Sequence, residues 1–134
     1  MSKAVTGARV LLGLVFFVFG LNFFLHFIPQ PPMSGPPMTL MGALIGSGYM
    51  FTLVKVIEVV CGALLLSGRF VPLALAMLAP IVINIVLFHG FLAPSGLPVA
   101  LVVLAIELFL AWSYRGAYAP MLKAKVSPST SQPG

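Results

Sequence analysis

The chain has 134 residues, of which 60% are hydrophobic and only 7% charged, with a mean hydropathy of +1.15. A soluble domain carries about 25% charged residues, so this composition excludes a soluble fold and indicates an integral membrane protein. The net charge of +5 does not point to nucleic acid, because Lys3, Arg9, Arg69, Arg115, Lys123 and Lys125 fall near expected membrane edges, where orientation and anionic lipid account for them.

The length leaves room for four spans of about 20 residues and no separate soluble domain. The first is expected at 8–28. Lys3 and Arg9 flank an apolar run too long for a signal-peptide core, and Phe-Ile-Pro-Gln-Pro-Pro follows it where a small-residue cleavage site would stand. A retained helix is therefore expected. Gly13 and Gly20 lie seven apart on one face and would let a neighbouring helix approach closely. Asn22 and His26 share another face. Residues 29–37, with five prolines, are read as non-helical.

As one helix, 38–66 would reach over ~40 Å against a hydrocarbon core of ~30 Å, so it must break. Gly46-Ser47-Gly48 is the natural place. A short interfacial or re-entrant helix over 39–45 is expected, then a second span over 49–66. This span carries Lys55 and Glu58, three apart and hence on one helix face. Its ten Leu, Ile, Phe and Val residues between 51 and 66 contribute roughly 3–6 kcal/mol to insertion, while the two ions cost roughly 5–7 kcal/mol. The helix therefore needs a protein interior to face. Cys61, the only cysteine, offers neither an internal disulfide nor a redox pair, and reads as a small packed apolar residue.

Ser67-Gly68-Arg69-Phe70 is a tight connection, and Pro72 suits the first turn of a third span over 73–92. Pro80 lies inside that span, with Asn84 near its middle and His89 near its far end. Residues 93–98 form a turn. The fourth span, 98–114, carries Glu107. A basic tail over 121–134, low in complexity from Val126, is expected to be disordered, leaving 1–120 as one bundle. Lys3, Arg9, Arg69, Arg115, Lys123 and Lys125 all fall on one side of a four-span chain. The positive-inside rule then places both termini in the cytoplasm, in the cell membrane, with Trp112, Tyr114 and Tyr118 at that interface.

Counting depth along each span brings Asn22, His26, Lys55, Glu58, Asn84, His89 and Glu107 into one half of an antiparallel bundle. Ionisable groups inside spans face the interior, pair, and mark function by default. Glu58 and Glu107 are the candidates for proton handling; Lys55, Asn84, His89, Asn22 and His26 are the candidates for holding a ligand. Lys55 and two ionised glutamates would leave one net negative charge in low dielectric, so a balancing proton is expected on a glutamate, His26 or His89. The alternatives are structural: an intrahelical pair at Lys55–Glu58, interhelical hydrogen bonds from Asn22 and Asn84, and an interfacial role for His89. Bis-axial haem ligation by His26 and His89 is disfavoured, since no other haem signal accompanies them. No metal site is expected.

Lys55-Val-Ile-Glu58-Val-Val-Cys-Gly62, Arg69-Phe-Val-Pro72, Ala79-Pro80-Ile-Val-Ile-Asn84 and Phe88-His89, with Arg9-Val-Leu-Leu-Gly13 and Gly20-Leu-Asn22 before them, resemble the DoxX family over most of 8–118. The resemblance implies a small four-helix protein of the cytoplasmic membrane. It also implies a link to quinone-coupled sulfur oxidation, in which a related chain is an oxidoreductase subunit, and to oxidative-stress and thiol-sulfur enzymes. Wider relatives handle disulfides with cysteine pairs, which this chain lacks. Three functions follow as expectations. The first is a membrane redox subunit binding a quinone or small sulfur compound beside a membrane or cytoplasmic redox partner. The others are a non-catalytic scaffold, and a small-solute or proton carrier that would form a homo-oligomer.

Overall fold

The computed structural model describes residues 2–26 and 34–129. Among them are no strands. Six α-helices are present: α1 (Lys3–Leu25), α2 (Pro36–Gly46), α3 (Met50–Ser67), α4 (Val71–Phe91), α5 (Leu97–Ser113) and the short α6 (Arg115–Tyr118). A 3-10 turn, Pro94–Gly96, leads directly into α5, and a second, Ala119–Leu122, follows α6. α1, α3, α4 and the stretch Pro94–Ser113 are long and apolar enough to cross a membrane. The protein is an all-α, multi-pass membrane bundle, as its composition requires.

Local chemistry sets the helix ends. The Ser2 hydroxyl accepts the Val5 N–H at 3.2 Å and caps α1. α3 stops at Gly68, whose φ of 76° is the left-handed conformation glycine adopts freely. Two expectations are corrected here. Pro36 and Pro37 are helical, because a helix's first turn has no use for the missing N–H groups; the short helix therefore runs Pro36–Gly46 and not 39–45. Span one begins five residues earlier than 8 and ends at Leu25; Pro29, Pro31 and Pro32 lie outside the described residues. The break at Gly46-Ser47-Gly48 is present, and Ser47 Oγ accepts the Met50 N–H at 3.0 Å, capping α3.

α1 packs against α3 and α5, and α4 also against α3 and α5, which closes a four-helix ring; α2 lies against α3. Consecutive spans run antiparallel. Both ends of the bundle are thereby defined: a basic end carrying Arg9, Arg69 and Arg115, and an uncharged end carrying α2 and the 94–96 turn. A contiguous core of Leu12, Phe16, Cys61, Leu65, Leu75, Leu78, Val82 and Leu110 fills the basic half.

At the α1–α3 seam the two helices approach closely. A Cβ on Gly62 would stand 2.6 Å from the Phe17 amide nitrogen, and one on Gly20 would stand 2.7 Å from the Val59 side chain. Backbone meets backbone here, as small residues permit in membranes. At its basic end the Arg9 guanidinium donates to the Leu65 and Leu66 carbonyls, two of the acceptors that the end of α3 leaves unsatisfied.

Candidate functional site

The core does not fill the uncharged half. There the four spanning helices and α2 enclose a cavity of about 520 Å³, lined mainly by apolar side chains. Sites that bury small molecules run to about 300–1,000 Å³ and combine apolar walls with a few polar groups. Here the polar groups are Lys55 and Glu58 from α3 and Asn84 and His89 from α4.

Lys55 and Glu58 owe their meeting to helical spacing. The ammonium lies 3.3 Å from Glu58 Oε1, and sits 5.1 Å from the centre of the Phe51 ring. The pair is neutral as a unit, which is what a low-dielectric site tolerates. The Lys55 side chain retains 18% exposure against 7% for Glu58, so its ammonium is the more accessible of the two.

His89 is held in one orientation from two sides. Its Nδ1 lies 2.8 Å from the Ile85 carbonyl. A carbonyl only accepts, so Nδ1 donates its N–H, and in the neutral form of the ring Nε2 is left as an acceptor. On the other side the ring rests against Gly96, so closely that a Cβ there would overlap it. The 94–96 turn thus does more than join two helices: its glycine makes room for the imidazole.

Of the seven candidates, four border the cavity and three do not. Asn22 is buried at the far end of α1. His26 caps α1 in a left-handed conformation, with φ of 52°, and is exposed to the outside. Glu107 is 5% exposed and its Oε1 is buried without a hydrogen-bond partner among the described residues, but it does not line the cavity. It lies toward the basic end, within electrostatic reach of Tyr118. That phenol donates to the Pro72 carbonyl at 2.6 Å, and burial, then the charge of Glu107, raise its pKa.

The cavity walls include residues that polar-residue counting passes over. Phe16, Phe19, Phe51 and Phe88 supply aromatic surface, and Leu40, Met41 and Leu44 present one face of α2. The phenylalanines were indistinguishable from lipid-facing ones by composition. The face of α2 was legible as an i, i+1, i+4 set within the short helix. Among the described residues no group of three metal-ligating side chains is present.

These features define a four-span membrane protein with a largely apolar pocket and, among the described residues, one part-buried ion pair. Residues 4–90, well over half of the chain, match the DoxX family. The protein belongs to the DoxX family. No curated protein and no solved structure matches the chain.

Proposed function

We propose that this DoxX protein is a subunit of a membrane redox assembly and that its cavity takes the ring of a quinone. The observation that carries the reading is the pocket's composition: four phenylalanines around a neutral Lys55–Glu58 pair, an Asn84 amide and an imidazole with a free acceptor nitrogen. A quinone is planar, uncharged and bears two oxygens. Lys55 and Asn84 supply donors to a carbonyl oxygen, and His89 Nε2 accepts from the hydroxyl of the reduced form.

The same groups favour a quinone over a sulfur oxyanion. An anion would take Lys55 as its partner and leave Glu58 a buried, unpaired charge, an arrangement that costs several kcal/mol by itself. A role limited to packing would need no cavity beside the pair. Reduction of a quinone takes up protons with its electrons. In this reading the electrons come from a partner redox protein, Glu58 serves the cavity directly, and Glu107 handles protons between Tyr118 and the pocket. The basic end then faces the cytoplasm by the distribution of Arg and Lys.

Titration of the purified protein in nanodiscs with a quinone tests this. Saturable binding is expected, weakened about tenfold or more in Lys55→Met, which loses one charge-assisted hydrogen bond. Identical binding and proton uptake in wild type, Glu58→Gln and Glu107→Gln would defeat the proposal.

A further inference from the structure

α4 carries an exposed stripe along its whole length: Leu73, Met77, Pro80, Asn84, Leu87 and Phe91, at the three- and four-residue steps that keep one face of a helix. In a membrane that face meets lipid. Asn84 is its only polar member, near mid-span, and its amide has no hydrogen-bond partner among the described residues. An unsatisfied amide in hydrocarbon is costly, so the group must be met by something outside this chain.

The same two central residues of the stripe, Pro80 and Asn84, also line the cavity. The wall then continues inward round one side of α4, through Ile81 and Phe88 to His89. A residue on the lipid-facing stripe that also borders the internal pocket marks an edge where the pocket is open. The pocket and the hydrocarbon phase are therefore continuous past Asn84.

We infer that the cavity opens sideways into the bilayer at Pro80 and Asn84, and that its occupant is a membrane-dissolved molecule whose ring enters there while its apolar tail stays among the lipid chains. This rests on the quinone reading for the ring, and adds the tail and the route. Asn84 is then the first polar contact an incoming carbonyl meets, before Lys55 and His89. Leu40, Met41 and Leu44 of α2 form the rim toward the uncharged end, and no residue of α2 is buried. A second copy of the chain is the competing partner for the amide.

The test places a tryptophan in the pocket. Trp112 is the sole tryptophan, so Trp112→Phe gives a silent background into which Phe88→Trp or Ile81→Trp is introduced, two sites guarding against one that fails to fold. Lipids brominated on the acyl chain are expected to quench both reporters strongly, and aqueous iodide only weakly. Quenching by iodide in place of bromolipid, or by neither, overturns the portal. So does a dimer in nanodiscs that Asn84→Leu dissolves. Bromolipid quenching in a protein that binds no quinone would keep the portal and sink the identity of the ring. Quinone binding with no bromolipid quenching would do the reverse.

Discussion

The Ile85 carbonyl, one helical turn before His89, holds Nδ1 of that imidazole at 2.8 Å and leaves Nε2 on the side of Gly96. Gly96 completes the arrangement from the facing turn, since any side chain there would displace the ring. Gly96→Ala should therefore turn His89 out of register without substituting any of the cavity's polar residues. The expected result is loss of the Nδ1–H tautomer signal in histidine-selective nitrogen NMR, with quinone affinity falling about tenfold for one hydrogen bond lost. An unchanged tautomer in the variant would separate the turn from the imidazole.

Lys55 and Glu58 should behave as one unit. Removing either partner leaves the other charge in low dielectric, at a cost of about 3 kcal/mol or more, whereas removing both restores neutrality. Thermal unfolding in detergent of Lys55→Met, Glu58→Gln and the double variant reads this directly. The double variant is expected to be more stable than Lys55→Met alone. Additive losses would mean that the two side chains do not interact.

The glycines divide into two groups with opposite expected responses. Gly62→Ala forces a methyl against the Phe17 backbone and should destabilise the bundle by about 1–3 kcal/mol. Gly42→Ala meets nothing within 4 Å and should be neutral or stabilise α2 by up to about 1 kcal/mol, the ordinary gain of alanine over glycine in a helix. Paired thermal melts distinguish them; a Gly62→Ala protein that melts with wild type would refute the close seam.

Tyr118 gives a pH-dependent readout outside the spans. Burial, and next the charge of Glu107, hold its phenol above the ordinary value. The folded state therefore favours the neutral phenol. That contribution is complete below the unfolded value, about 10, and fades as pH rises through the higher folded value. In alkaline spectrophotometric titration, Glu107→Gln should shift one tyrosine transition down toward its ordinary position. A superimposable titration curve would place Glu107 beyond Tyr118's reach.

Much of the architecture could be read from residues alone, because a membrane permits few solutions. Length fixed the number of spans, Gly46-Ser47-Gly48 marked the break, and Gly13 and Gly20 foretold the seam. Lys55, Glu58, Asn84 and His89 were grouped through depth and helical phase. The same arithmetic misplaced Glu107 with them, for a physical reason. Counting residues from Pro98 assumes that α5 starts at the membrane edge. In the structure Glu107 is the eleventh of the seventeen residues of α5, six before that helix ends at Ser113, and so lies past the cavity toward the basic end. His26 stands away from the cavity, because a left-handed cap turns the chain at the residue itself, and no period describes that. Pro36 and Pro37 misled by being read as breakers, where position within a first turn makes them starters.

Arg9 carries a consequence for how this protein is made. Its guanidinium is one of few groups in α1 that hydrocarbon will not accept, and the carbonyls it satisfies belong to a helix synthesised more than fifty residues later. While the ribosome is still extending the chain, that charge has only headgroups and water to turn to. Emergence of α3 from the insertion machinery supplies the missing acceptors and draws the first hairpin together. The Arg9 contacts can therefore form only after the second membrane crossing has been made, and a nascent chain stalled before Leu65 should leave that guanidinium without them.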